Sequence, residues 1–213
     1  MLKIAHRGYT KYHADNSMNA FRDAIKYGFD MIELDIQLDK EDNIIIFHDP
    51  FIGTTPVNNM TIQEIRSNYP DVLLLSTFFE LFNYKQIRLY FDMKGSEKLA
   101  YVLHDFLVKH SIVLDKIWFA SFNIRHLNIL REIGSYKLGL ISDNVYSIEL
   151  LDYFIEKCDL QFICFSWTVL HKETVEYLKT KQVSTFTYTL KDVDFLPIVQ
   201  EYGVHGIVSD ILI

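Results

Sequence analysis

The sequence predicts an α/β fold closed into a barrel of the triosephosphate-isomerase type. Eight short apolar runs, rich in Ile, Val, Phe and Tyr, recur along the chain. Helical patterns separate most of them, which is the rhythm of a parallel sheet with crossover helices. The chain carries only 4 Pro and 8 Gly and no Pro/Gly/Ser-rich linker, so one domain over residues 1–213 is expected. Eight strand–helix units close such a barrel, and 213 residues make it a small one. A doubly wound open sheet has the same rhythm and stays open at this point.

The elements follow in order. Lys3–Gly8 is the first strand, and a helix over Asn16–Tyr27 has Asn16 as its start signal and Gly28 as its stop. Met31–Gln37 is the second strand. A ninth β-like run, Asn43–Phe47, comes after only Leu38–Asp42, too short a gap for a crossover helix, so this pair reads as a hairpin. Strands Ile87–Met93, Lys116–Phe122, Lys137–Ser142, Leu160–Ser166 and Gln182–Thr189 alternate with helices Ser96–His110, Asn123–Ile133, Ser147–Lys157, His171–Lys179 and Asp192–Tyr202. These helices carry apolar residues at three- and four-residue spacing. Gly206–Ser209 is the last strand. Only three residues follow Asp210, so the final helix of the barrel is expected to be missing.

Composition narrows the partners. A net charge of −7 argues against a general nucleic-acid or anionic-membrane binder, while leaving room for a local basic site on a small phosphate. Cys158 and Cys164 make neither a disulfide framework nor a four-ligand zinc site and are expected as buried free thiols. No apolar run approaches the roughly 18 residues of a transmembrane segment. The start, Met1–His6, leads straight into polar sequence and is no signal peptide, so a cytoplasmic location is expected.

Polar residues at strand ends stand out. His6-Arg7-Gly8 ends the first strand. Glu33 and Asp35 lie two apart on the second and share a face. His48-Asp49 ends the return arm of the hairpin, which brings His48 back towards the level of Glu33. Asp92 and Lys94 close the third barrel strand on one face. Active sites of both barrels and open α/β sheets gather at these carboxyl ends. Each piece alone has a plain structural reading: a surface His, an exposed alternating face, an ion pair, a turn before Pro50. Their joint placement points to chemistry instead. Three carboxylates in one apolar-walled mouth need a counter-charge, and a hard divalent cation, Mg²⁺ or Ca²⁺, suits oxygen ligands. The cation with Arg7 and Lys94 makes a pocket for a phosphate. Two His beside it take and give protons near neutral pH. The set reads as phosphoester cleavage. No Walker loop or Gly-x-Gly-x-x-Gly fingerprint is present.

These residues resemble the glycerophosphodiester phosphodiesterase family. Its first motif, His-Arg-Gly and then Pro-Glu-Asn-Thr, is matched by His6-Arg7-Gly8 and Ala14-Asp15-Asn16-Ser17. Its second, Glu-x-Asp-Val, a polar turn, an apolar run and His-Asp, is matched by Glu33-Leu34-Asp35-Ile36, Asp39–Asn43, Ile44–Phe47 and His48-Asp49. Its third, a strand ending Glu-x-Lys, is matched by Asp92-Met93-Lys94. Ala120-Ser121-Phe122, Thr187–Asp192 and Gly203–Asp210 align with weaker features, so the resemblance covers almost the whole chain.

The resemblance implies metal-dependent hydrolysis of glycerophosphodiesters, a small-molecule substrate, to glycerol 3-phosphate and an alcohol. It assigns acid and base to His6 and His48, and one divalent cation, Mg²⁺ or Ca²⁺, to Glu33, Asp35 and Asp92. Phosphate and substrate contacts fall to Arg7, Lys94, Asn16 and Tyr188. Asp15 and Asp92 replace Glu, and Tyr188 stands where Trp is usual. The segment between His48 and Asp92 lacks the usual Arg and is shortened. Two other readings compete: a lyase resembling the sphingomyelinase D-type phospholipases, which stops at a cyclic phosphate, and a degenerate barrel without catalysis.

Overall fold

A computed structural model describes all 213 residues. Its strands and helices, in chain order, are β1 (Leu2–Ala5), α1 (Met18–Lys26), β2 (Met31–Leu38), β3 (Ile44–Ile46), β4 (Phe51–Ile52), β5 (Thr55–Pro56), α2 (Ile62–Asn68), β6 (Leu73–Leu74), α3 (Leu75–Leu81), β7 (Arg88–Met93), α4 (Lys98–Lys109), β8 (Ile117–Ser121), α5 (Ile124–Ile133), β9 (Lys137–Ser142), α6 (Ile148–Cys158), β10 (Phe162–Ser166), α7 (Lys172–Thr180), β11 (Ser184–Leu190), α8 (Leu196–Tyr202) and β12 (Gly206–Ser209).

Eight of the strands, β1, β2 and β7 to β12, are parallel neighbours, and the pairing of β1 with β2 closes them into the expected barrel. An open sheet is excluded. No helix follows β12 in these residues. Successive side chains alternate between two cores. Ile32, Leu34, Ile36, Phe91 and Phe119 face the helices. Ile4, Met31, Tyr90, Phe162, Cys164 and Phe186 fill the barrel interior. Trp118, Phe162 and Phe186 plug its floor, with ring centroids 4.9 to 5.5 Å apart. Gly139 makes room for this plug, because a Cβ there would lie 2.2 Å from the Phe162 ring. With the floor sealed, the barrel opens only at the carboxyl ends of its strands. Both cysteines are free and buried, as expected.

The hairpin is present, and its placement matters. β1 pairs with β2 only at Met31 and Ile32. Further along, β3 runs antiparallel to β2, with Ile36 opposite Ile46. Since β7 holds the other edge of β2 through the pair Ile36–Met93, β3 occupies the edge that β1 leaves free. The chain between His48 and Asp92 then forms the small β4–β5 hairpin, α2 and β6 around a separate core of Ile45, Phe47, Val57, Ile62, Ile65 and Val72, and α3, whose Leu75 and Phe78 join the main core.

Most boundaries shift by one or two residues from expectation, and three of the differences have a clear local cause. His6-Arg7-Gly8 lies past the end of β1, because Arg7 (φ 54°) and Gly8 (φ 83°) are left-handed and break the extended run. Asn16 does not open α1. It is left-handed (φ 55°), and Ser17 is the cap, its hydroxyl accepting from the Ala20 amide. The stretch read as one helix over Asp192–Tyr202 is a 3₁₀ turn at Val193–Phe195 followed by α8, with Pro197 in its first turn.

Candidate active site

The barrel register brings the acidic residues together. Asp35 pairs with Asp92, and Glu33 with Tyr90, across β2 and β7. One oxygen from each of Glu33, Asp35 and Asp92 lies within 4.8 Å of the others, and all three residues are buried. Lys94 Nζ donates to Asp92 and lies 3.2 Å from Asp35 Oδ1. The Arg7 guanidinium forms an ion pair with Asp35 at 3.1 Å and donates to Asp15 at 3.0 Å. The Arg7 amide donates to Glu33 at 2.8 Å. Asn16 clamps Asp35 from two sides: its amide nitrogen donates to Asp35 Oδ2 at 2.9 Å, and its Oδ1 accepts from the Asp35 amide at 3.2 Å.

The turn that carries His6 and Arg7 needs its glycine. A Cβ on Gly8 would lie 2.7 Å from the Ala20 carbonyl carbon, and the residue is left-handed besides. Gly8 thus lets the loop press onto α1 while Arg7 turns back towards the carboxylates.

Two cations face three carboxylates, and the charges respond. Burial, reinforced by Asp35 and Asp92, holds the Glu33 carboxyl well above its usual range. Burial also pushes the Asp92 carboxyl up to about 7, against the pull of Lys94. Asp35 is driven up by burial too, but Lys94 and Arg7 outweigh this and hold it below its usual value. Burial alone would lower Lys94, yet the Asp92 and Asp35 charges raise it. Asp92 Oδ1 is buried without a hydrogen-bond partner. Excess carboxylate and an orphaned oxygen fit a divalent cation held by Glu33, Asp35 and Asp92.

His6 and His48 both line the same cavity of about 220 Å³, together with Arg7, the three carboxylates, Lys94 and Tyr188. His6 Nδ1 donates to Asp210 at 2.5 Å, and His48 Nδ1 to Asp49 at 2.7 Å. Each imidazole therefore keeps Nε2 free for other work. The His6 contact holds Asp210 below its usual range despite burial. Tyr188 donates to Asp143 at 2.5 Å and faces Phe122 edge-on at 6.0 Å. Asn16 alone among the sequence-predicted residues stands behind this cavity, on Asp35, and lines an adjoining one.

Sequence reasoning missed two supports. Asp210 is one. The other is Gln37, whose buried amide donates to the carbonyls of Phe47 (2.8 Å) and Asp49 (3.0 Å) and so brackets His48. A signal existed for it: Gln37 continues the Glu33, Asp35 face of β2.

The sequence model of the glycerophosphoryl diester phosphodiesterase family matches residues 6–212. The chain belongs to that family. A glycerophosphodiester phosphodiesterase of Caldanaerobacter subterraneus is 25 % identical over 98 % of this chain and 93 % of its own. An uncharacterised Mycoplasma genitalium protein is 26 % identical over 84 % of this chain and 82 % of its own. Among solved structures, an Oleispira antarctica phosphodiesterase in complex with the product sn-glycerol-3-phosphate superposes with a TM-score of 0.86 at 18 % identity, covering 99 % of this chain and 93 % of its own. The glycerophosphodiester phosphodiesterase of Thermotoga maritima gives 0.82 at 22 %, covering 99 % and 94 %. As a member of the family, this protein is a phosphodiesterase, and its closed barrel is the family's fold. No helix is long and apolar enough to cross a membrane.

Proposed function

We propose that this protein hydrolyses glycerophosphodiesters to glycerol 3-phosphate and an alcohol. One barrel domain spanning the chain would do so, with His6 and His48 as acid and base. The observation that carries the proposal is the meeting, in one cavity, of two carboxylate-anchored imidazoles with a cation pair and three buried carboxylates. Family membership supports the substrate class.

Glu33, Asp35 and Asp92 would hold one divalent cation, Mg²⁺ or Ca²⁺. When bound, that ion supplies Lewis acidity beside the phosphate. Arg7 and Lys94 bring positive charge to the phosphoryl oxygens, where it counts most as charge develops. The glycerol 2-hydroxyl is the nearest nucleophile a substrate can offer itself, and proximity favours its attack on phosphorus. One imidazole takes the hydroxyl proton at Nε2. The other gives a proton to the leaving alcohol oxygen as its bond to phosphorus breaks. Water then opens the cyclic phosphate with the two roles exchanged. Asn16 keeps Asp35 turned inward, and Tyr188 forms the wall of the mouth.

A coupled assay for glycerol 3-phosphate from glycerophosphocholine, with Mg²⁺, Ca²⁺, Mn²⁺ or chelator, tests this. Release that requires a metal is expected. His6→Ala and His48→Ala should each lower kcat by at least about a thousandfold without unfolding. Near-wild-type rates in both would overturn the mechanism. Phosphorus NMR showing a cyclic phosphate that persists would identify a lyase instead.

A further inference from the structure

The end of the barrel opposite the site carries the reverse charge. The turns that enter β7, β8 and β9 (residues 82–88, 109–116 and 134–137) hold Lys85, Arg88, Lys109, Lys116 and Lys137, and Asp115 is their only carboxylate. Glu80, Asp105 and Glu132 lie behind them, on the preceding helices. All five cations are exposed, and none takes part in an ion pair. The three strands are neighbours, with Leu89 opposite Ile117 and Trp118 opposite Lys137. Hydrogen bonds tie the turns into one surface. Lys116 Nζ donates to the Lys85 carbonyl at 2.9 Å, Lys137 Nζ to the Asp115 carbonyl at 2.5 Å, and the Val113 amide to the Tyr84 hydroxyl at 3.3 Å. Leu81 (62 % exposed), Val108 (63 %) and Val113 (44 %) stand bare on the same turns and helix ends. Exposed carboxylates predominate at the mouth, where Asp15, Asp49, Asp71, Asp143, Asp192 and Asp194 outnumber Lys11 and Lys191.

We infer that this amino-terminal face of the barrel docks on a lipid bilayer bearing anionic headgroups, with the active-site mouth turned to the water. The inference is independent of the hydrolysis proposed above. The net charge of −7 opposes such contact for the chain as a whole, but distance divides the molecule. Arg88 starts β7 and Lys94 follows its end, about 20 Å further along. Salt screens charge over about 8 Å at physiological ionic strength, so headgroups beneath Arg88 feel the five cations and little of the acidic mouth. Each Lys or Arg held near an anionic leaflet strengthens binding about fivefold. Unpaired cations also give up no protein carboxylate on docking. The three bare aliphatic side chains fit the boundary between headgroups and acyl chains. Nucleic acid is the other extended anion, but its single strands need rings to stack on, and these turns expose no Phe, Tyr or Trp.

Flotation with vesicles of phosphatidylcholine alone, or with one-third phosphatidylserine, tests this at physiological salt and at about 0.5 M. Wild type should float with the anionic vesicles only and come off them at high salt. The triple variant Lys85→Gln, Arg88→Gln and Lys109→Gln should bind them about a hundredfold more weakly, about fivefold per charge, with its urea melt unchanged. A second triple variant, Lys11→Gln, Lys40→Gln and Lys98→Gln, removes the same charge at the other end of the barrel and should lose less than about twofold. No binding by wild type, or equal losses in the two variants, overturns the assignment. A polarity-sensitive dye fixes the orientation, since both native thiols are buried. On Val113→Cys its emission should shift to the blue on anionic vesicles, and on Val145→Cys, at the mouth, it should not. A shift at Val145→Cys alone overturns the orientation. A DNA oligonucleotide held as tightly as the vesicles, with no blue shift at Val113→Cys, would give the face to nucleic acid and overturn the lipid reading.

Discussion

Asp92 is one methylene shorter than the glutamate the family motif carries, yet its carboxylate still closes the triad with Glu33 and Asp35. The reason is register. Asp35 and Asp92 pair directly across β2 and β7, so little reach is needed. The residue has a cost in water-free surroundings, which burial expresses by pushing its carboxyl up to about 7. Cation and proton therefore compete for the same oxygens. Metal affinity should fall as pH drops through about 7, where protons reclaim these carboxylates. Calorimetric titration of Mg²⁺ at pH 6 and pH 8 would show this, and equal affinities would refute it. Asp210 acts at one remove, through the imidazole of His6. Asp210→Asn should lower kcat about a hundredfold with KM little changed, and Asp210→Glu should recover part of the loss. A loss confined to KM would mean that Asp210 does not position His6.

At the scale of elements, the β2–β3 hairpin delivers His48 to the mouth, and Gln37 holds it there. Gln37→Leu removes two donors from the carbonyls flanking His48 while keeping the volume. Turnover should fall about tenfold or more in protein still folded at the assay temperature, beside a stability loss of about 1–3 kcal/mol; unchanged kcat would show that the backbone alone places His48. Gly8 fixes the other histidine's turn. Gly8→Ala should destabilise by about 2–4 kcal/mol in urea melts, since both space and φ oppose a Cβ. The barrel strands were legible in the sequence because each is a short apolar run, most of them set off by helical patterns. The segment between His48 and Asp92 was not. α2 and α3 are only seven residues each, too short for the apolar period to repeat. One sign was there to read: Thr61 and Glu64 form a capping box at the start of α2. The catalytic cluster was legible through strand alternation. Asp210 was not assigned a role, because its contact with His6 spans the whole chain and depends on barrel closure.

At the scale of the molecule, the site opposes the fold that holds it. Three carboxylates and two cations are packed at the top of an apolar barrel whose floor is sealed by rings. Without a metal, Glu33 bears the conflict: burial first, then Asp35 and Asp92, raise its carboxyl well above the usual range. A raised folded-state pKa means that the native state binds more protons than the unfolded chain between the two values. Stability must then fall as pH rises from about 4.3, the unfolded value, towards the folded one. Glu33→Gln keeps the shape and an acceptor for the Arg7 amide but cannot ionise. In chelator at pH 7.5 the variant should be more stable than wild type by about 1–3 kcal/mol, and the gap should close near pH 4. Saturating Mg²⁺ should reverse the order, because ligand binding adds stability only to the chain that binds it well. Urea melts of both proteins at the two pH values, with and without Mg²⁺, measure this. A variant less stable than wild type in chelator at pH 7.5 would mean that Lys94 and Arg7 already neutralise the cluster. The carboxylates would then need no metal to coexist.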